Sequence, residues 1–203
     1  QVPVKKEIGF TFANALRSIL RQDPDIVMIG EIRDKETAEI AVEAALTGHQ
    51  VLSTMHCNDA PGAVARLDDM GIAPFLISSS VILACAQRLM RRICSHCKEP
   101  VTYPAKMFAD LNFDPAEFKD VTLYRGRGCD RCKNSGYAGR LAIIEAMTVT
   151  DEIRKLIIAR ANAQDIGHTA VGQGMRTLRM VALDRAREGV STLEQVLVLT
   201  MAH

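Results

Sequence analysis

The sequence contains no tryptophan, and its aromatic content is only 4%. Because proteins that hold single-stranded nucleic acid stack bases on aromatic side chains, this scarcity argues against such a role. Basic and acidic residues are almost balanced, at 25 and 24, so the chain has no overall field that would attract nucleic acid or an acidic membrane. We therefore expect no nucleic-acid partner, and a DNA- or RNA-binding function is disfavoured.

Long apolar runs are also missing. The longest candidate, residues 75–86, is interrupted by Ser78, Ser79 and Ser80. At roughly a dozen residues it is shorter than the about 20 that a membrane helix needs. The amino end has no apolar core behind Lys6, so no signal peptide is predicted. It also lacks an initiator methionine, and we expect the chain to be a piece of a longer protein.

The composition is that of a globular protein. Of the 203 residues, 48% are hydrophobic and 24% are charged, which is enough apolar material for a sizeable core. This length suits one large domain or two small ones.

One stretch, Asp23-Pro-Asp-Ile-Val-Met-Ile-Gly-Glu-Ile-Arg-Asp34, organises the amino-terminal half. Its apolar run, residues 26–29, is bounded by turn signals and predicts a fully buried strand of a parallel sheet. Predicted helices flank it at 11–22 and 35–46, the second capped by Asp34, and a second strand follows at 50–54. This alternation predicts an α/β fold with a mainly parallel sheet.

Glu31 would stand at the carboxyl end of the first strand, where open α/β sheets place their ligands. A carboxylate there can hold Mg²⁺ or orient the water that attacks a terminal phosphate. The alternative is a core strand followed by a solvated turn.

A helix is predicted from Pro61 to Gly71, and a longer one from Pro74 to Ile93. The second half of the longer helix is basic, with Arg88, Arg91 and Arg92. These arginines either form a solvated helix end that complements the macrodipole or reach a phosphate across a subunit boundary.

Four of the six cysteines form two C-x-x-C pairs separated by 31 residues: Cys94, Cys97, Cys129 and Cys132. Two such pairs suit a tetrahedral Zn²⁺ site, and four sulfurs leave no open position for a substrate, so the predicted zinc is structural. The alternative is four reduced cysteines packed together. His96 is expected to be a bystander, and Cys57 to be a packing residue. The paired spacing without a signal peptide favours a reducing compartment.

The rest of the chain is predicted to be a small lobe followed by helices. We expect a short helix at 105–111, a turn at Gly136–Arg140 and a strand at 141–147 that contains Glu145. Helices follow at 151–161, 163–171 and 176–188, and a capping box, Ser191-Thr-Leu-Glu194, opens a last helix that ends at Met201.

These motifs together resemble the bacterial secretion ATPases, and most closely the type II secretion and type IV pilus assembly ATPases. The stretch 23–34 resembles their atypical Walker B box, and Thr47-Gly-His-Gln-Val-Leu-Ser-Thr-Met-His-Cys-Asn58 resembles their His box. The remaining matches follow in the same order: Ala86-Gln-Arg-Leu, the four cysteines, Gly136-Tyr-Ala-Gly-Arg140 and Gly189-Val-Ser-Thr-Leu-Glu194. The resemblance covers essentially the whole chain.

The resemblance implies a partial RecA-like core at 1–93, an inserted four-cysteine zinc lobe at 94–140 and a helical subdomain at 141–203. It also implies a cytoplasmic homo-hexamer, peripheral at the inner membrane, that hydrolyses ATP with Mg²⁺ at subunit boundaries. Such motors act on an inner-membrane platform protein to drive pilus extension or type II secretion. The sequence does not choose between these two, although residues 58–61 lean slightly towards pilus assembly.

In this family Glu31 would be the catalytic Walker B glutamate. His49 and His56 would be the His-box residues, with His56 the better candidate to sense the γ-phosphate, because an imidazole can donate a hydrogen bond to a phosphate oxygen. Further candidates for nucleotide contact are Asp25, Arg88 and Arg91. Asp25 and Arg33 flank Glu31, and shaping the turn is the simpler role for both.

One family feature is absent from the sequence. There is no G-x-x-x-x-G-K-[ST] loop, and no glycine is followed by lysine. That loop cradles phosphates with backbone N–H groups, and its lysine holds them. The family's acidic Asp box is also missing. We therefore expect the chain alone neither to bind ATP tightly nor to hydrolyse it. The alternative function is a non-catalytic, zinc-stabilised protein-interaction module.

Overall fold

The computed structural model describes residues 3–5, 7, 9–110, 113 and 118–200, which fall into two compact units. The first unit comprises Gln1–Cys85 and Ala146–Met175, and the second comprises Ala86–Glu145 and Arg176–His203. These boundaries differ from the divisions at 93/94 and 140/141 that the sequence led us to expect.

The elements alternate between helix and strand in the amino-terminal half, as the sequence predicts. In chain order they are α1 Phe12–Leu20, β1 Ile26–Ile29, α2 Lys35–Leu46, β2 Gln50–Ser53, α3 Ala60–Asp69, α4 Pro74–Ser80, β3 Leu83–Ile93, β4 Lys98–Pro100, α5 Ala105–Asp110, β5 Tyr124–Gly126, β6 Tyr137–Thr148, α6 Asp151–Ile158, α7 Ala163–Gly172, α8 Leu178–Arg187 and α9 Leu193–Thr200. None of the helices in these described ranges is both long and apolar enough to cross a membrane.

Polar side chains start the helices of the first unit. The Asp34 carboxylate accepts the Thr37 N–H at 2.9 Å, which confirms the predicted cap of α2. Asp59 caps α3 in the same way, by accepting the Gly62 N–H at 2.7 Å. Such caps satisfy backbone donors that have no partner inside the helix, and they fix where α2 and α3 leave the sheet.

The strands β1 and β2 pair in parallel, with Ile26 opposite Gln50 and Ile29 opposite Ser53. The predicted parallel pairing is therefore confirmed for these two strands, whereas β4 and β5 are antiparallel. The described strands form three two-stranded sheets, the third joining β3 and β6.

The predicted full burial of β1 is wrong. Val27 and Ile29 are buried in the core of the first unit, whereas Ile26 is 60% exposed and Met28 is 74% exposed. Successive side chains of a strand point to opposite faces, and among the described residues only one face of the β1–β2 pair is covered. A strand is buried on both sides only where helices cover both faces of its sheet.

The long helix predicted from Pro74 to Ile93 is also wrong. The helix α4 ends at Ser80, where the Ser79 and Ser80 hydroxyls donate to backbone carbonyls one turn earlier, and β3 begins at Leu83. Serines that bond to nearby carbonyls weaken a helix, and a short apolar run does not distinguish strand from helix. Arg88, Arg91 and Arg92 therefore lie on a strand, and the helix-dipole interpretation of them does not apply.

The second unit has its own apolar core, to which β3, β6, α8 and α9 contribute. The predicted turn at 136–140 is wrong, because β6 already begins at Tyr137 and includes the rest of this stretch, although Gly136 and Gly139 have positive φ values of 75° and 76°. The predicted strand at 141–147, with Glu145, lies within β6 and is confirmed.

The carboxyl-terminal helices agree with the prediction to within a few residues, but the capping box does not form. Thr192, rather than Ser191, accepts the N–H of Gln195 at 3.3 Å, and α9 begins at Leu193. The Ser191 hydroxyl instead donates to the Arg91 carbonyl at 2.7 Å, and Glu194 accepts from the Tyr103 hydroxyl at 2.8 Å. The predicted helix ends at 111 and 201 lie outside the described residues.

Candidate functional site

Glu31 lies just beyond the carboxyl end of β1, as the sequence predicts. Its side chain is 24% exposed, and its Oε2 atom lies 2.5 Å from Arg33 Nε and 3.4 Å from His56 Nε2. Two of the predicted catalytic residues, Glu31 and His56, are therefore neighbours. Among the described residues, both contacts are to the same carboxylate oxygen, so Oε1 is the oxygen left to meet a water or a cation.

Thr54 connects the segment after β2 to the segment that carries Glu31. The Thr54 hydroxyl donates to the Gly30 carbonyl at 2.7 Å. The Thr54 carbonyl accepts the Ile32 N–H at 2.9 Å. The peptide groups on both sides of Glu31 are thus bonded to one residue, which lies two positions before His56.

His49 lies at the carboxyl end of α2 rather than against Glu31. Its Nδ1 atom is 3.0 Å from the Ala44 carbonyl oxygen and 3.1 Å from Thr47 Oγ1. The last carbonyls of a helix lack partners inside it, and an imidazole N–H can satisfy one of them. In this structure His49 therefore closes a helix, and its catalytic role stays a prediction.

Asp25 lies at the other end of β1. Its carbonyl accepts the Gln50 N–H at 2.9 Å, where the paired strands begin. The four residues of β1 span about 13 Å at the usual rise per strand residue. The structure therefore does not bring Asp25 and Glu31 together.

Arg88 and Arg91 lie on β3 in the second unit. The Arg91 guanidinium sits 4.3 Å above the Tyr137 ring, and its backbone N–H donates to Gln195 Oε1 at 3.3 Å. Arg88 Nη1 donates to the Gln87 carbonyl at 3.3 Å. Arg91 thus has a local role in its own unit, and nucleotide contact by either arginine stays a prediction.

A cleft of about 290 Å³ opens beside His56 in the first unit. Its polar lining includes Asp59, Arg66 and Asp69. Burial raises the pKa of the Cys57 thiol, Arg66 opposes this effect and Asp59 adds to it. A raised pKa disfavours the reactive thiolate, which agrees with a packing role for Cys57.

The four paired cysteines converge, as the spacing predicts. Their sulfur atoms all lie within 4.8 Å of one another, and three of the four residues are buried. The Sγ–Sγ distances include 3.9 Å for Cys94–Cys129, 3.9 Å for Cys97–Cys132 and 3.8 Å for Cys129–Cys132. A tetrahedral Zn²⁺ with 2.3 Å bonds needs sulfur separations of about 3.8 Å, so the cluster fits this ion.

Backbone N–H groups support the sulfur atoms. Gly128 donates to Cys97 Sγ at 3.3 Å, and Cys129 and Gly136 donate to Cys132 Sγ at 3.2 and 3.3 Å. Burial and the neighbouring thiols raise the pKa of Cys97 to about 11, although the Gly128 N–H opposes this. Burial also disfavours the Cys132 thiolate, but its N–H donors and neighbouring thiols lower its pKa to about 6. A bound cation would supply the charge that lets all four sulfurs ionise.

His96 is outside this cysteine group, as expected for a bystander. Its ring nitrogens lie 2.6 and 3.1 Å from Arg131 Nη1, so the ring contacts the second knuckle through that arginine.

Sequence reasoning missed the contacts that Arg33 and Thr54 make around Glu31. Shaping the turn is the role that the sequence predicts for Arg33, yet the Arg33 side chain donates to the Glu31 carboxylate. The two-residue spacing on an extended chain was an available signal for Arg33, because alternate residues share a side. The contact of Thr54 depends on the register of β1 and β2, which sequence alone does not fix.

Comparison with known proteins supports the resemblance. Residues 1–198 match the family model for the type II/IV secretion system protein. The chain is 51% identical over 201 residues to the type IV pilus assembly ATPase PilB of Thermus thermophilus. The aligned region covers 99% of this chain and 23% of that protein. It is also 48% identical over 200 residues to the type II secretion system ATPase E of Vibrio cholerae. This alignment covers 98% of this chain and 39% of that protein.

Two solved structures share the fold. The pilus retraction motor PilT with bound ADP aligns with a TM-score of 0.65 at 24% identity, over 94% of this chain and 43% of that chain. The Legionella pneumophila ATPase DotB aligns with a TM-score of 0.64 at 20% identity, over 95% and 43%. At these identities the likeness shows an α/β ATPase fold alone.

The chain spans between about a quarter and two fifths of the length of these two curated relatives. Within that span, the order of the Walker B-like stretch, the His-box-like stretch and the cysteine pairs agrees with the family match across residues 1–198. The chain belongs to the family of type II/IV secretion system proteins.

Proposed function

We propose that the chain is the carboxyl-terminal part of a hexameric motor that hydrolyses ATP to power type IV pilus assembly or type II protein secretion. The observation that carries the proposal is the placement of Glu31 with His56 beyond the carboxyl ends of two parallel strands. The curated relatives named above are ATPases of both machines, at 51% and 48% identity, and this similarity does not separate the two.

Glu31 would be the residue that acts on the attacking water and on Mg²⁺. With Oε2 held by Arg33 and His56, its Oε1 atom is placed to accept a proton or a hydrogen bond from that water. The 82% exposed side chain of His56 is accessible to a terminal phosphate, to which an imidazole N–H can donate.

The remaining candidates have weaker support. The bonds of His49 to the end of α2 favour a supporting role, in which it fixes the start of the His-box strand. Arg88 and Arg91 remain candidates for contact across a subunit boundary, where an arginine can stabilise the charge of a transferred phosphoryl group. Asp25 has the least support, because it lies at the far end of β1.

The phosphate-binding loop would come from residues that precede this sequence in the same protein. ATP and Mg²⁺ are therefore proposed as cofactors of the longer protein, and the chain alone is proposed to be inactive. Zn²⁺ is proposed as a structural ion held by the four cysteines, where it would join the two knuckles without taking part in hydrolysis.

The proposed partners are further copies of the chain in a hexamer and an inner-membrane platform protein. The motor would lie in the cytoplasm, peripheral to the inner membrane. The family match supports the proposal of these partners and this location.

The experiment is a steady-state Mg-ATPase assay on the longer protein that contains this chain and the phosphate-binding loop. The Glu31→Gln variant keeps the shape of the side chain and removes its charge, so we expect kcat to fall by about 100-fold or more, the scale of a lost catalytic base. Binding of ATP should be retained, because the loop that holds the phosphates is intact.

Glu39→Gln is the matched control. Glu39 is an exposed residue of α2 whose carboxylate lies 3.6 Å from Lys35 Nζ, and surface pairs of this kind contribute little. The control should retain wild-type activity. A wild-type protein without ATPase activity, or a Glu31→Gln variant at the wild-type rate, would contradict the proposed function.

A further inference from the structure

Thr54 bonds the segment that carries Glu31 to the segment that carries His56 just beyond the paired strands. The regular ladder of β1 and β2 ends at the pair Ile29 and Ser53. Past that pair the chain turns towards α2 on one side and towards α3 on the other. The two bonds of Thr54, to the Gly30 carbonyl and from the Ile32 N–H, therefore hold the backbone on both sides of Glu31, in addition to the contact between the His56 and Glu31 side chains.

We propose that Thr54 is a positioning residue that sets the orientation of Glu31 towards its substrate water. This inference rests on the proposed function of Glu31. Gly30 has no side chain to restrict its backbone, so the peptide before Glu31 can rotate unless another group holds its carbonyl. The Thr54 hydroxyl supplies that restraint at 2.7 Å.

The geometry of the carboxylate depends on this restraint. Glu31 Oε2 lies 2.5 Å from Arg33 and 3.4 Å from His56. Arg33 belongs to the segment after β1 and His56 to the segment after β2, and Thr54 bonds these two segments to each other. A rotation of the Gly30–Glu31 peptide would move the carboxylate relative to His56 without unfolding the strand. Misplacement of a catalytic group by about 1 Å can cost on the order of 100-fold in rate.

The contribution of the hydroxyl to folding is expected to be small. Gly30 and Thr54 are both exposed, so water can bond to the Gly30 carbonyl if the hydroxyl is removed. When an exposed carbonyl loses a protein donor, water takes its place, and the net loss of folding free energy is small. The role of Thr54 in rate can therefore be separated from any role in stability.

The test compares Thr54→Val, which removes the hydroxyl at nearly constant shape, with Thr54→Ser, which keeps it, in the longer protein that contains the phosphate-binding loop. We expect Thr54→Val to lower kcat by about 10- to 100-fold with KM for ATP within about two-fold of wild type. Thr54→Ser should restore kcat to within about three-fold of wild type, because it can make the same bond.

Thr148→Val is the matched control, since Thr148 is an exposed threonine of β6 in the same unit. It should leave both constants unchanged, and thermal melting should give the same Tm for all variants. Thr54→Val at the wild-type kcat would overturn the inference. So would equal losses in the valine and serine variants, because serine keeps the hydroxyl to which the effect is assigned.

The Glu31→Gln variant in the same assay separates the two proposals. If the wild-type protein is active and Glu31→Gln is not, a fully active Thr54→Val variant overturns only the role of Thr54. If the wild-type protein has no activity, or Glu31→Gln retains it, the proposed function fails and the inference about Thr54 fails with it.

Discussion

Gly126 and Gly136 approach each other through their backbones. A Cβ atom added to Gly126 would overlap the Gly136 carbonyl oxygen, and one added to Gly136 would lie 2.5 Å from the Gly126 carbonyl oxygen. That Gly136 carbonyl also accepts the Cys94 N–H at 2.9 Å. The close approach of two glycines therefore places β5 and the start of β6 against the first cysteine knuckle.

We predict that Gly126→Ala lowers the free energy of unfolding by at least about 3 kcal/mol, because the new methyl group meets backbone that cannot move without breaking the Cys94 bond. Gly136→Ala should be similarly damaging, since φ of 75° adds strain for any L-residue with a Cβ. Urea unfolding followed by circular dichroism would measure both effects.

Gly172→Ala is the control for these variants. Gly172 ends α7, and apart from its chain neighbours and the backbone of its own helix, no atom of the described residues lies within 4 Å of the position that its Cβ would take. Alanine there should be neutral or stabilising by up to about 1 kcal/mol, the usual helix preference over glycine. If the free energy of unfolding of Gly126→Ala equals that of Gly172→Ala, the prediction is contradicted, because β5 and the start of β6 would then move apart at no cost.

The cysteine cluster predicts one zinc ion per chain. Cys94→Ser or Cys132→Ser should reduce the zinc content of the purified protein several-fold, because a serine hydroxyl does not replace a thiolate ligand. Elemental analysis by mass spectrometry would measure the metal. Cys85→Ser removes an exposed cysteine of β3 and should leave the zinc content unchanged. A zinc content of Cys132→Ser equal to that of the wild type would show that other residues bind the ion.

Tyr103 and Glu194 predict a loss of stability in alkaline solution. Burial and the hydrogen bond to Glu194 raise the pKa of the Tyr103 hydroxyl well above its usual value. The folded state thus holds this proton more tightly than the unfolded state, so stability is full below the unfolded pKa of about 10 and is lost as pH rises above it.

Tyr103→Phe should remove this alkaline dependence and lower the free energy of unfolding near neutral pH by about 1 kcal/mol, the size of one lost hydrogen bond. Urea titrations at a series of pH values would show both effects. Tyr124→Phe, which leaves Tyr103 in place, should keep the alkaline loss. An identical pH profile for wild type and Tyr103→Phe would be the contrary result.

The 203-residue chain by itself should show no Mg-ATPase activity, because its sequence has no phosphate-binding loop. A coupled assay on the purified chain measures this directly. Activity that is present in the chain and lost in Glu31→Gln would contradict the prediction and would locate a complete site within these residues.

Local signals predicted much of the first unit. Asp34 precedes an apolar-periodic segment, and this pattern correctly predicts where α2 begins. Two close cysteine pairs correctly predict that the four sulfurs come together. Both signals depend on residues that are neighbours in sequence. Glu31 was placed correctly because a short apolar run with turn signals marks the end of a strand.

The failures concern information that is not local. The run 74–93 is apolar enough for either a helix or a strand, and only pairing with β6 selects the strand. The exposure of Met28 depends on what covers the second face of the sheet, and the bonds of Thr54 depend on strand register. Neither can be obtained from residue spacing.

The cysteine cluster also has a consequence for the order of folding. The strand β4 begins immediately after Cys97, and β5 ends three residues before Cys129, with Lys98 opposite Gly126 as the first pair. A metal ion bound by the four sulfurs would close a loop of about 35 residues, which in chain-entropy terms corresponds to about 4 kcal/mol for a permanent cross-link. Such an ion would play the part that a tight turn plays in a hairpin, so β4 and β5 could pair outward from the metal even though they are distant in sequence.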